Sequence, residues 1–301
     1  MSIRFDEKVV IVTGAGGGLG REHALEFARR GAKVVINDLG GDVDGNQSST
    51  TAAEAVVKEI ESFGGIALAN GASVTEDSAV SEMVDETLVR FGRIDVLVNN
   101  AGILRDKSFH KMDIADFEAV MDVHVMGAVK VTRAVWPHMR EQNFGRVIVT
   151  TSSSGLYGNF GQSNYGAAKL ALIGLINTLK IEGEKHNIRC GAVAPVAWTR
   201  MTSDIFPPDA EELYAAHKVT PAVIFLAGED APNGAIIAAG GNGFARTALV
   251  ETKGVFLGPD ATPEKIAENW AQIADLDGAN EPFSGIEQVE KFTSMAARAK
   301  A

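Results

Sequence analysis

Cysteine is almost missing from the 301 residues: Cys190 stands alone, inside the apolar run Ile188 to Val193. One thiol cannot close an internal disulfide or build a multi-cysteine metal site, so no metal is expected, and the setting reads as a buried core thiol. Basic residues are outnumbered, 28 Lys and Arg against 39 Asp and Glu, leaving a net charge of −11. That argues against a nucleic-acid surface, which needs clustered cations. No stretch approaches the roughly 18 uninterrupted apolar residues of a membrane span. Ser2 to Phe5 leads directly into a strand without the layout of a signal peptide, and Ala299 to Ala301 does not match the Ser-Lys-Leu peroxisomal address. These absences predict a cytoplasmic protein with neither nucleic-acid nor membrane partners. Repeats and low-complexity segments are absent too. What is present is apolar material, 46% of the chain, enough for one large α/β domain with additions or for two small domains.

Strand and helix patterns alternate along the chain. Lys8 to Thr13 and Lys33 to Asp38 are β-branched runs, as in strands covered on both faces. Further strands are predicted at Ile66 to Ala69, Ile94 to Val98, Arg146 to Thr151, Ile188 to Ala194 and, as the last, Gly234 to Ala239. Helices are predicted over Arg21 to Arg30, Thr51 to Phe63, Glu76 to Phe91, Phe117 to Met139, Gly166 to Glu184 and from Pro221. The Phe117 helix is broken only by Gly127 and Pro137, and its length suits either a core or a subunit interface. Leu39 to Thr51 reads as a long loop. This alternation predicts a Rossmann-like, doubly wound parallel sheet over residues 1–243. Residues 244–301 read as a C-terminal extension, with a helix started by Thr262 and Pro263, that completes the substrate site or a dimer contact.

Chemistry collects at the predicted carboxyl ends of the strands, where such sheets bind ligands. Gly14, Gly16, Gly18, Leu19 and Gly20 lie between the first strand and its helix. Strand, glycine loop and helix in that order form a phosphate site, because the backbone can approach a pyrophosphate and the helix N-terminus supplies N–H groups; alone, the loop would be a tight turn. Asp38 ends the second strand, where an acid binds both ribose hydroxyls of NAD and repels the 2′-phosphate of NADP. A helix cap or turn is its blander reading. Asn100, Ala101 and Gly102 are small and amide residues at a strand end, fit to lie against a flat ring. Pro195 to Met201 forms a possible flap, with Thr199 as a hydrogen-bond donor. Arg105, Asp106 and Lys107 form either a solvated charge cluster or, with Arg200, a cationic mouth for an anionic substrate tail.

The organising stretch is Ser152 to Lys169. Tyr165 and Lys169 are four apart on a helical pattern, which sets their Cβ atoms roughly 5–6 Å apart on one face. An ammonium there is expected to lower the phenol pKa from about 10, so that Tyr165 exchanges a proton near neutrality. Ser152, at a strand end, can hold a substrate oxygen. An isolated Tyr–Lys pair would be an ordinary surface pair; its company argues otherwise.

Thr13 to Gly20, Asn99 to Gly102, Ser152 and Tyr165 to Lys169 together resemble the signature set of the short-chain dehydrogenase/reductases, over roughly residues 5–245. The resemblance implies that Tyr165 is the catalytic acid/base, that Lys169 holds the nicotinamide ribose and that Ser152 orients the substrate oxygen. It implies NAD bound by the glycine loop, Asp38, Ser73, Val74, Asn100, Ala101, Gly102, Tyr165, Lys169, Pro195 and Thr199. Ala72 and Ser73 stand where many members have an acid that binds adenine, so backbone or Ser73 would make that contact. His124 stands where many members have an asparagine that serves a proton relay; it reads as a core histidine, without a catalytic role.

Asn37 to Gly41, Asn100 to Asp106, Tyr157 to Gly161 and Ala194 to Thr202 resemble the (3R)-hydroxyacyl-CoA dehydrogenase branch found in multifunctional enzymes, which also acts on 17β-hydroxysteroids. The expectation is an NAD-dependent oxidoreductase interconverting a secondary alcohol and a ketone. A (3R)-3-hydroxyacyl-CoA is the first substrate class and a hydroxysteroid the alternative, in a homodimer or higher homo-oligomer. A non-catalytic NAD(H) sensor or scaffold is the reading from another class, and an epimerase or dehydratase of related fold a further one.

Overall fold

Every residue of Val9–Thr13 (β1) is buried, as a β-branched run between two apolar layers must be. The structure, a computed structural model, describes residues 2–40, 50–199, 201–202 and 207–298. Most of the predicted loop from Leu39 to Thr51, and Arg200, lie outside them. The chain divides into two compact units, Met1–Arg246 and Thr247–Ala301.

In the first unit β1 is followed by α1 (Gly18–Arg29), β2 (Lys33–Asn37), α2 (Thr51–Ser62), β3 (Ile66–Asn70), α3 (Asp77–Phe91) and β4 (Val96–Asn99). Then come α4 (Ile114–Met121), α5 (Gly127–Gln142), β5 (Gly145–Thr150), α6 (Ser153–Tyr157), α7 (Ser163–Gly183), β6 (Ile188–Pro195), α8 (Thr220–Ala227), β7 (Ile236–Gly240) and β8 (Gly243–Thr247). The strands form one sheet in the order β3-β2-β1-β4-β5-β6-β7-β8, with parallel registers from β3 through to β7. This is the doubly wound α/β architecture the alternation predicts. Successive side chains of a strand point to opposite faces, and β1 shows it. Val10 and Val12 pack with Phe27, Val56 and Leu226 on one face, while Ile11 packs with Met83, Val135, Leu172 and Ile176 on the other.

Two elements depart from expectation. Gly234 to Ala239 does not hold the last strand: β8 follows β7 after only Gly241 and Asn242, whose φ values are 54° and 63°. Two left-handed residues make a type I′ turn, which folds the chain back antiparallel. The helix expected from Phe117 to Met139 is neither broken at Gly127 nor at Pro137, and it begins earlier, at Ile114. Its irregularity is a π-turn, Asp122–Met126, that joins α4 to α5 and carries His124. Such turns often mark functional positions.

The second unit contains α9 (Pro263–Glu268), α10 (Trp270–Ile273) and α11 (Gly285–Arg298). Thr262 caps α9 by accepting from Lys265 N at 3.3 Å, as its place before Pro263 predicts. Glu251 bridges antiparallel to Asn280 and pairs with Lys291 at 2.6 Å.

Candidate active site

The strand order reverses at β1, which has β2 on one side and β4 on the other, and a crevice opens there. Gly14 follows β1 directly with φ +64°, and a Cβ on it would stand 2.8 Å from Ala101 Cα. A Cβ on Gly20 would stand 2.2 Å from Gly14 O. Only glycine allows both the turn and this close packing. Asn100 braces the same point. Its Nδ2 donates to Thr13 O and Gly14 O, both at 3.1 Å, while its Oδ1 accepts from Thr150 Oγ1 at 3.3 Å. The ends of β1, β4 and β5 are thereby tied together.

Above this brace lies a cleft of about 410 Å³. It gathers Gly14, Gly18, Leu19, Asp38, Ser73, Val74, Asn100, Ala101, Gly102 and Thr199 from the expected set. Gly16 and Gly20 do not line it; they serve packing. A side chain on Gly16 would strike the Asp38 carboxylate, which accepts from Gly16 N and Gly40 N, both at 2.7 Å. Asp38 is thus held at the cleft by two backbone donors. Ser73 lines it with its hydroxyl 2.8 Å from that of Thr75. Gly17, Thr75 and Met201 also line the cleft. Gly17 belongs to the glycine run itself, whereas nothing local in sequence marks the other two. The bare turn at Gly14, the open N-terminus of α1 and a fixed carboxylate at the end of β2 suit an elongated anionic dinucleotide with a ribose diol.

A second cavity of about 230 Å³ adjoins the first, sharing Leu19, Asn100, Gly102, Thr199 and Met201. Ser152, Tyr165, Lys169 and Pro195 line it. Ser152 reaches it as the cap of α6, accepting from Ser154 N at 3.2 Å. Tyr165 lies in the first turn of α7, and Lys169 one turn on places Nζ 5.4 Å from the Tyr165 ring centroid. Lys169 Nζ donates to Thr150 O at 2.7 Å, and Thr151 Oγ1 donates to Lys169 O at 2.7 Å, pinning α7 to the end of β5.

The expected lowering of the Tyr165 pKa does not hold for the chain by itself. Burial pushes the phenol up to about 12, partly opposed by a hydrogen bond with Ser152 and reinforced by the charge of Asp106. Burial pushes Lys169 down to about 7. Helical spacing gave the proximity correctly, but it carries no measure of desolvation, and here desolvation outweighs the neighbour.

The charge cluster is part-exposed and internally paired, in keeping with the solvated reading, although Arg105 also lines the cleft. Arg105 pairs with Asp116 at 2.9 Å, and Lys107 pairs with Asp116 at 2.9 Å and Asp113 at 3.1 Å. These cations bind the chain's own carboxylates. His124 is buried, and its Nε2 lies 2.9 Å from Ile103 O and 3.1 Å from Ile103 N. Its ring stands edge-on to Tyr165, centroids 5.3 Å apart, and Gly102 packs on it so closely that a Cβ would stand 2.2 Å from Cε1. Burial first, then the charge of Lys169, hold it well below the ordinary histidine pKa, so it is neutral. It borders the second cavity with Ser154, Asn159 and Gln162, none of which sequence reading placed at the site. The runs around Tyr157 and Tyr165 contain those last three, but nothing local shows which of them face inward.

Residues 8–209 match the family model for short chain dehydrogenases. Over 290 residues the chain is 49% identical to peroxisomal multifunctional enzyme A of Dictyostelium discoideum, covering 96% of this chain and 65% of that protein. The structure of full-length peroxisomal multifunctional enzyme type 2 from Drosophila melanogaster superposes with TM-score 0.82 at 36% identity, over 98% of this chain and 50% of that one. A 7α-hydroxysteroid dehydrogenase complexed with NADH and 7-oxo-glycochenodeoxycholic acid superposes with TM-score 0.72 at 30% identity, over 80% of this chain and 95% of that one. The chain thus spans about two thirds of the first of these proteins and half of the second.

Proposed function

Given that the chain belongs to the short-chain dehydrogenase family, we propose that it is an NAD-dependent oxidoreductase interconverting a (3R)-3-hydroxyacyl-CoA and its 3-ketoacyl-CoA. One observation carries this reading: Ser152, Tyr165 and Lys169 converge on a cavity that shares a wall with the glycine-lined cleft. The nicotinamide supplies the hydride acceptor. The chain's residues do the rest. Ser152 holds the substrate oxygen, Tyr165 Oη takes or gives the hydroxyl proton, and Lys169 fixes a ribose and sets the field at the phenol. Gly14, Gly18, Asp38, Asn100 and Thr199 would hold the dinucleotide.

Asp38 supports NAD over NADP. Asp38→Ala should lower the ratio of kcat/KM for NAD to that for NADP about tenfold, the worth of one charge-assisted hydrogen bond. Better turnover with NADP in the unmodified protein would refute this part.

The substrate is tested with a panel of (3R)-3-hydroxyacyl-CoAs and 17β-hydroxysteroids, read by NADH absorbance. Turnover of the acyl-CoAs is expected. The hydroxysteroid is a second reading, favoured by the pairing of Arg105 and Lys107 with Asp113 and Asp116, which leaves less positive charge for a CoA tail. NADH binding without turnover anywhere on the panel would point to a sensor instead.

A homo-oligomer is part of the reading. Leu170, Gly174 and Ile181 form an exposed stripe on α7, and an apolar outer face on a long helix suits a subunit contact. For the second unit we propose a part in enclosing substrate or joining subunits; α11 exposes Ile286, Val289 and Phe292. No helix among the described residues is long and apolar enough to cross a membrane. A cytoplasmic location is proposed, against the peroxisomal names of the relatives, and cell fractionation decides between them.

A further inference from the structure

Gln162 is buried beside the second cavity, and its amide is bonded on both ends. Its Oε1 accepts from Ser154 Oγ at 2.7 Å and from Asn159 Nδ2 at 3.1 Å. Its Nε2 donates to Asp106 Oδ2 at 2.6 Å. Asp106 lies at the centre of three successive ties between one loop and the start of α7. On one side Lys107 N donates to Gly161 O at 2.9 Å; on the other Asn164 Nδ2 donates to Arg105 O at 2.9 Å.

An ionised carboxylate only accepts hydrogen bonds, so Asp106 dictates which end of the Gln162 amide faces it. The nitrogen must turn to Asp106 and the oxygen to Ser154 and Asn159. Ser154 then spends its hydroxyl proton on Gln162, and Asn159 spends one of its two N–H groups there. What Ser154 has left for a ligand are oxygen lone pairs, while Asn159 keeps one N–H beside its carbonyl oxygen. We infer that Asp106 is a positioning residue that sets the hydrogen-bond polarity of the substrate wall at Ser154, so that this hydroxyl accepts from a substrate N–H or O–H. Asp106 touches no reacting atom and acts through Gln162. The inference rests on the proposed dehydrogenase reading and narrows it to substrates that carry such a donor, as the amide of a pantetheine thioester does and a steroid nucleus does not.

The charge of Asp106 has a second, separable effect. Tyr165 is faced by Lys169 from its own helix, by neutral His124 from the π-turn, by Ser152 from the end of β5 and by Asp106 from the loop. Of these, Asp106 holds the phenol up. Removing its charge should move the alkaline rise of alcohol oxidation to lower pH, a readout that loosened packing alone does not produce.

The test compares a (3R)-3-hydroxyacyl-pantetheine with its counterpart methylated at the nearer amide nitrogen, in the unmodified protein and in Asp106→Asn and Asp106→Ala. In the unmodified protein methylation should raise KM about tenfold. In Asp106→Asn, whose amide can donate or accept, that discrimination should shrink and the pH–rate rise should shift to lower pH. In Asp106→Ala, KM should rise with kcat changed less, and backbone hydrogen exchange across residues 153–162 should quicken. Equal KM values for the two substrates in the unmodified protein, or discrimination unaltered in Asp106→Asn, would overturn the inference. Failure of the unmodified protein to turn over any alcohol would instead sink the proposed function. The exchange measurement still reads the Asp106–Gln162 tie in that case, and an unchanged rate in Asp106→Ala would overturn the inference by itself.

Discussion

Tyr165→Phe is expected to lower turnover about 1,000-fold, within the range that a positioned acid or base contributes, while NADH affinity changes little. The ring, its contact with His124 and the packing of α7 all survive the substitution; only the hydroxyl is lost. Stopped-flow absorbance gives the chemical step, and fluorescence titration of NADH gives the binding. The pH dependence carries a sign. Alcohol oxidation needs the phenolate, so its rate should climb as pH rises toward the Tyr165 pKa. Ketone reduction needs the phenol and should fall over the same window. In the chain alone burial places that pKa high, at about 12, so the protonated form dominates at neutrality and suits the reducing direction. Normal turnover in Tyr165→Phe would remove the basis of the catalytic assignment.

The second large effect is on stability. Arg146, in β5, is 1% exposed. Its guanidinium donates to Gly228 O, Gly145 O, Asn187 O and Glu229 O, at 2.7–2.9 Å, and stacks 4.3 Å from the Phe144 centroid. It joins the end of α8 to the loop before β6. Burial, its largest influence, pushes its pKa down to about 10, so it stays charged at neutral pH. Arg146→Met keeps much of the stem volume and takes a donor from four carbonyls, of which Asn187 O and Gly228 O retain a backbone donor. The expected loss is about 3–5 kcal/mol, a fall in Tm of about 10 °C for a domain this size. Differential scanning calorimetry checks it, and a fall under about 2 °C would show that water or backbone rearrangement satisfies those carbonyls.

Arg146 illustrates the limit of reading the chain as a string. It was legible as the first residue of a strand, because Val147 to Thr150 follow it in a β-branched run. Three of its four acceptors lie 41 to 83 residues away, and nothing local names them. The same division holds at the site. The loop from Gly14 to Gly20 was legible because glycine there has a steric reason, and Tyr165 with Lys169 because helical spacing fixes what faces what. Asp38 was legible as a strand-end acid, though not its anchoring by Gly16 and Gly40. The π-turn at His124 was hidden, since one extra residue in a helix leaves the apolar pattern nearly intact. The β8 hairpin did leave a signal, the Gly241–Asn242 pair, whose positive φ values favour a I′ turn. The pairing of Arg105 and Lys107 with Asp113 and Asp116 was half visible as neighbouring opposite charges, yet which of them folded back depended on where α4 starts.

Asn100 and four other residues stand between the two cavities and belong to both. A molecule bound on one side therefore orders side chains that the other guest must also meet. Their affinities are coupled, and the coupling is reciprocal: whatever factor the dinucleotide adds to the hold on the alcohol, the alcohol returns to the dinucleotide.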